Sequence, residues 1–149
     1  MKKIQNITDM EVFAQQLATH LEAGDVLLLD GDLGAGKTTF SQFLGRALGV
    51  TRTINSPTFN IIKSYKGAEL NFHHMDCYRL EDSEEDLGFD EYFNDEAVTV
   101  IEWSQFIAEY LPDTFLKITI NVMSETERAL ELEAQGAHYE AIKEALEHV

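Results

Sequence analysis

Gly31, Gly34 and Gly36 fall within six positions and run directly into Lys37, Thr38 and Thr39. Glycine is entropically costly wherever the chain is ordered, so such a cluster implies a task for the backbone itself. Gly31, Gly36, Lys37 and Thr38 fit the pattern G-x-x-x-x-G-K-[ST], a loop whose amides wrap the phosphates of a nucleotide. On this reading the backbone of Gly34, Ala35, Gly36, Lys37, Thr38 and Thr39 lines the phosphates. The Lys37 ammonium reaches the β/γ-phosphates, and the Thr38 hydroxyl binds Mg²⁺. Guanine-selective switches carry an N-K-x-D motif, which is absent here, so ATP is the expected nucleotide.

Hydrolysis also requires a carboxylate that orders the metal and a group that orients water. Glu102 closes the apolar run Val98-Thr99-Val100-Ile101 and meets the first need, as a direct ligand of Mg²⁺ or by holding its water. Asp76, after "NFHHM", either positions water or pairs with Arg79, whose planar fork suits a phosphate equally well. Trp103 is core, or packs against Glu102 and fixes that carboxylate. His73, His74 and Cys77 lie close together, but zinc would need a fourth ligand and there is no second cysteine. One histidine ring is therefore expected to face the core and the other solvent or the site.

These side chains need a strand before the loop and a helix after it, because the helix N-terminus presents aligned amides to the phosphates. Val26 to Leu29 is a continuous apolar run suited to a buried strand, and Phe40, Phe43, Leu44, Ala47 and Leu48 recur at helical spacing up to Gly49. Upstream, Thr8 and Glu11 stand at capping-box spacing and predict a helix with Val12, Leu17, Ala18 and Leu21 on one face, closed by Gly24. The segment "NIIKSYKGAELNFHHMDCYRL" predicts a hairpin about Lys66-Gly67. A helix follows from about Ser104 to Tyr110, stopped by Pro112. "FLKITINVM" and "ERALELEA" alternate as two antiparallel strands, and "HYEAIKEALEHV" is an amphipathic helix. The sum is an α/β fold of three layers, P-loop NTPase-like, with a mostly parallel sheet, antiparallel additions and helices on both faces.

A chain of 149 residues without a linker-like segment is expected to form one domain, residues 1–149. The single cysteine excludes an intrachain disulfide and fits a reducing cytoplasm. The start lacks a signal-peptide h-region, and no apolar run approaches membrane-spanning length. With 27 Asp and Glu against 11 Lys and Arg, direct capture of nucleic acid is disfavoured, so a nucleic-acid role needs a partner. Glu81 to Glu96 carries nine carboxylates and neither Lys nor Arg, which makes it a solvated face or a docking surface for a basic partner.

Four motifs occur together in order: Gly31 to Phe40, Ser56-Pro57-Thr58-Phe59, His74-x-Asp76-x-Tyr78-Arg79-Leu80, and Glu102-Trp103. In this the chain resembles the TsaE (YjeE) family, small bacterial ATPases of tRNA threonylcarbamoyladenosine synthesis, from about Thr8 to Glu131. The resemblance implies phosphate and Mg²⁺ binding by Lys37 and Thr38, with Glu102 as the metal-associated acid. It implies that Ser56 and Thr58 lie on a switch-like loop and that Asp76, Tyr78 and Arg79 form a second mobile segment near the γ-phosphate. Thr8 and Arg128 look like adenine-side contacts. The implied partners are the TsaD and TsaB proteins, with tRNA met only indirectly, and the implied role is ATP turnover that resets the synthase at A37 between rounds. Two other functions share the loop: a small-molecule kinase, which would need more lid arginines than Arg46, Arg52, Arg79 and Arg128 supply, and a regulatory switch gated by binding alone.

Overall fold

The computed structural model describes residues 2–32, 34–55, 61–80, 88–93 and 95–147, with Arg79 described by its backbone only. The central strands form where the chain is apolar on both faces. Strand β2, Val26–Gly31, has its first four residues buried, and β5, Ala97–Glu102, is buried throughout. Each fully buried Val, Leu or Ile there contributes about 1.5–3 kcal/mol over exposure.

Around these two strands lies one seven-stranded sheet. Its remaining strands are β1, Lys2–Ile4; β3, Ile62–Tyr65; β4, Asn71–Asp76; β6, Phe115–Val122; and β7, Arg128–Gln135. The order is β1-β7-β6-β2-β5-β4-β3. The block β6-β2-β5-β4 is parallel, while β7, β1 and β3 pair antiparallel at the edges. The mostly parallel sheet with antiparallel additions is therefore as the sequence predicts. β1 is an addition, because three residues are too short to show an alternation.

One face of the sheet is covered by α1, Ile7–Ala18; α2, Lys37–Ala47; and α4, Ala137–Glu147. Phe13 and Leu17 of α1, Phe40 and Leu44 of α2, and Ile142 and Leu146 of α4 join Leu27, Leu29, Val98, Val100 and Ile118 in one core. The opposite face holds a second, smaller core. There Phe89 and Phe93 of α3, Phe89–Phe93, pack with Ile107 against Val26, Leu28, Met75 and Ile101.

Three local expectations are corrected. The first helix is capped not by Thr8 but by Asn6, whose side chain accepts from the Asp9 amide, while Asp9 accepts from the Gln5 amide at 3.0 Å. This reciprocal pair starts the helix two residues earlier, and Val12 points outward, 44% exposed. Leu17 and Leu21 are buried as expected, but alongside Met10, Phe13 and Ala14 rather than Val12. The helix also ends at Ala18, with Thr19 as C-cap, well before Gly24. The helix expected over Ser104–Tyr110 is present, of the 3-10 type and broken at Ile107 with φ −127°. Leu111 after it is extended, as a residue preceding proline must be.

Candidate nucleotide site at the carboxyl end of the sheet

Strand β2 ends at Gly31, where a side chain is impossible: a Cβ would lie 2.9 Å from the Ile120 carbonyl oxygen. Gly34 and Gly36 take φ of +84° and +106°, and a Cβ on either would meet nothing within 4 Å. Their requirement is thus conformational, and the side of the loop they leave bare is open. Gly36 is the N-cap of α2 and supplies no side-chain cap. The first amides of that helix have no intrahelical acceptor, so the turn presents N–H groups and positive dipole toward the open side.

The loop is braced from outside. Arg128, the first residue of β7, donates from Nε to the Ala35 carbonyl at 2.9 Å and from Nη1 to Ser124 and Glu127 carbonyls at 2.8 and 2.9 Å. Beside it lies a cleft of about 320 Å³ with an apolar wall from Ile4, Ile7 and Met10, and a polar side from Gly36, Thr39, Thr126 and Arg128. Thr8 is exposed on the first turn of α1 and does not line this cleft.

Glu102 comes to the loop because β5 is the direct parallel neighbour of β2, with Leu29 opposite Glu102. Asp76 ends β4 in register with Glu102, so both carboxylates leave the same face of adjacent strands at their carboxyl ends. Lys37 Nζ lies 3.7 Å from Glu102 Oε1, with side chains only 12% and 7% exposed. Asp76 accepts from the Tyr78 amide at 3.1 Å. Thr38 stands half-buried on the first turn of α2. The structure thus brings Lys37 against Glu102 and sets Asp76 beside Glu102 in strand register.

Trp103 is the single non-glycine residue with positive φ, +58°, among the described residues. This conformation costs about 1–2 kcal/mol. It turns the chain sharply after Glu102. The indole then stacks on Phe106 at 5.8 Å, takes the edge of the exposed Tyr78 at 5.1 Å, and lies 5.1 Å beneath the Lys37 ammonium. Ser56, Thr58, the Arg79 side chain and the acidic run 81–87 fall outside the described residues.

His73 and His74 are both buried, on opposite faces of β4, and it is His74 that faces the site. His73 joins Ser64 and Asp95 at 2.7 and 2.9 Å, which holds the Asp95 carboxyl below its ordinary value. His74 Nε2 lies 2.7 Å from Glu102 Oε2. Sequence reasoning missed this contact, although the i, i+2 spacing of His74 and Asp76 on a strand already puts them on one face. Cys77 is buried, and burial first, then the negative charge of Asp76, pushes its thiol from 9.0 up to about 12. Between those values the folded protein keeps a proton that the unfolded chain has lost, so stability falls as pH rises from 9 to 12. A pH series of urea unfolding midpoints will show this decline. In Cys77→Ala it will begin only above pH 10, where Tyr139, raised by burial to about 12, takes over.

The parallel strand, the glycine loop and the helix it feeds place this chain in the P-loop NTPase-like class. A family model described as "Threonylcarbamoyl adenosine biosynthesis protein TsaE" matches residues 4–130. The Bacillus subtilis (strain 168) protein named tRNA threonylcarbamoyladenosine biosynthesis protein TsaE is 46% identical over 141 residues, covering 95% of this chain and 89% of its own. The Rickettsia felis protein of the same name is 37% identical over 128 residues, covering 84% and 74%. The crystal structure of Bacillus subtilis YdiB superposes with a TM-score of 0.84 at 38% identity, covering 99% of this chain and 93% of that one. The chain belongs to the TsaE family. No helix among the described residues is long and apolar enough to cross a membrane.

Proposed function

We propose that this chain is a Mg²⁺-dependent ATPase that assists the TsaD–TsaB pair in tRNA N6-threonylcarbamoyladenosine modification, resetting that synthase between turnovers in the cytoplasm and meeting tRNA only through the complex. The observation that carries the hydrolytic part is an uncapped helix start and a glycine loop with a bare open side, set beside the Lys37–Glu102 pair with Asp76 in register next to Glu102. The names borne by its relatives support the place in threonylcarbamoyl adenosine synthesis.

The loop amides and the Lys37 ammonium bind the phosphates, and the apolar wall of Ile4, Ile7 and Met10 offers a planar base a surface to lie on. Arg128 shapes the adenine side chiefly by fixing the Ala35 carbonyl. The donor set fits Mg²⁺: the Thr38 hydroxyl and the Glu102 carboxylate both offer oxygen, suited to a hard cation. When bound, that ion supplies charge neutralisation on the phosphates. Glu102 holds it or its water, Asp76 orients the attacking water, and Trp103 keeps the Lys37 stem and the Glu102 strand end in place.

Slow turnover in isolation is expected, because phosphoryl transfer depends on preorganised charge and a partner can order the remaining segments of the site. Phosphate release from Mg·ATP is to be measured with the chain alone and with purified TsaD, TsaB and tRNA. Faster release in the presence of the partners is the expected result. Equal rates in both mixtures would remove the partner-coupled reading, and no release in either would remove the ATPase.

A further inference from the structure

We infer that His74 is a positioning residue for Glu102: its imidazole donates Nε2–H to Oε2, locking the carboxylate so that Oε1 alone faces the phosphate loop. The inference rests on the hydrolytic reading above and adds to it the residue that sets the acid's orientation. His74 is fully buried, and its Nδ1 has no hydrogen-bond partner among the described residues. The ring packs on Phe72, with centroids 6.1 Å apart.

The tautomer follows from these contacts. A proton on Nδ1 would strand a buried donor, at a cost of about 1–3 kcal/mol, and would aim the Nε2 lone pair at a carboxylate oxygen. With the proton on Nε2, the 2.7 Å contact to Oε2 is a charge-assisted hydrogen bond and Nδ1 carries only an acceptor. Oε1 faces Lys37 at 3.7 Å. Two different neighbours on two oxygens remove the rotational freedom of the carboxylate, so the oxygen offered to the site is chosen by His74.

Loss of a hydrogen-bond partner behind a metal-associated ligand weakens metal use by roughly 10- to 100-fold. His74→Leu will therefore raise the Mg²⁺ concentration for half-maximal phosphate release by that factor, while the ATP KM at saturating Mg²⁺ stays within about twofold. His74→Gln, whose amide nitrogen can occupy the place of Nε2, will recover most of the loss. A role as core filler alone predicts the reverse order, with leucine at least as good as glutamine. Independently of activity, a long-range ¹H–¹⁵N spectrum of histidine-labelled wild-type protein will show His74 protonated on Nε2, and this decides the matter where the leucine variant does not fold. An active wild type with its proton on Nδ1, or with His74→Leu matching His74→Gln in Mg²⁺ response, overturns the inference alone. A wild type that releases no phosphate overturns the hydrolytic reading and the positioning role with it.

Discussion

Replacing Lys37 with alanine will weaken Mg·ATP binding by at least about a hundredfold, because two losses add. Hydrogen bonds to charged groups contribute about 1.5–3 kcal/mol each, and every 1.4 kcal/mol is a factor of ten. The second loss comes from Glu102: its Oε1 now faces the ammonium at 3.7 Å, and without Lys37 a largely buried carboxylate confronts the incoming phosphates unopposed. Arginine will not restore binding, since a planar fork cannot replace a compact ammonium between a carboxylate and an indole face. The fold will persist, because His74 still satisfies Oε2 and Lys37 stands at the rim of the core rather than within it. Titration calorimetry at physiological salt measures the effect, with unfolding midpoints as the control. An unchanged dissociation constant in a folded Lys37→Ala variant would remove the ammonium from the phosphate site.

The parts of this architecture legible in the sequence are those where one physical signal dominates. Val26 to Leu29 and Ala97 to Ile101 are short apolar runs, and a strand buried on both faces needs that pattern. Gly31, Gly34 and Gly36 demand positive φ, and the structure places all three there. The misreadings arose where two signals compete. Asn6-Asp9 and Thr8-Glu11 offer the same cap spacing two residues apart, and the structure uses the former. Ser104–Tyr110 is helical as its composition predicts, and the left-handed Trp103 before it and Pro112 after it hold it to a tight 3-10 path.

Within the candidate site the same division holds. Lys37 and Glu102 were legible because each ends or begins an element whose type the local pattern declares. The His74–Glu102 contact was not, since it depends on β4 lying beside β5, a neighbour relation set by long-range pairing across 28 positions. Once that adjacency exists, strand parity does the rest, delivering His74 and Asp76 to the face on which Glu102 stands.

Parity also explains why Glu102→Gln should separate turnover from binding more cleanly than any other single change. The amide has the shape of the carboxylate, and its oxygen can still accept from His74, so the imidazole N–H keeps its partner; the amide nitrogen then takes the place of Oε1 beside the Lys37 ammonium, and the unfolding midpoint should fall, but by less than in Glu102→Ala. What disappears is the negative charge that would hold Mg²⁺ or its water. Charge-stabilising groups of this kind are typically worth about 10²–10³ in kcat. Phosphate release should fall by that factor while calorimetric affinity for Mg·ATP changes only a few-fold, because the loop amides and Lys37 carry most of the binding. Glu102→Ala, by contrast, leaves the His74 Nε2–H unpaired in the core and adds a stability loss of about 1–3 kcal/mol to the same catalytic defect. Wild-type turnover in a folded Glu102→Gln protein would mean that the acid serves the fold alone, and Asp76, its neighbour in register, would inherit the metal.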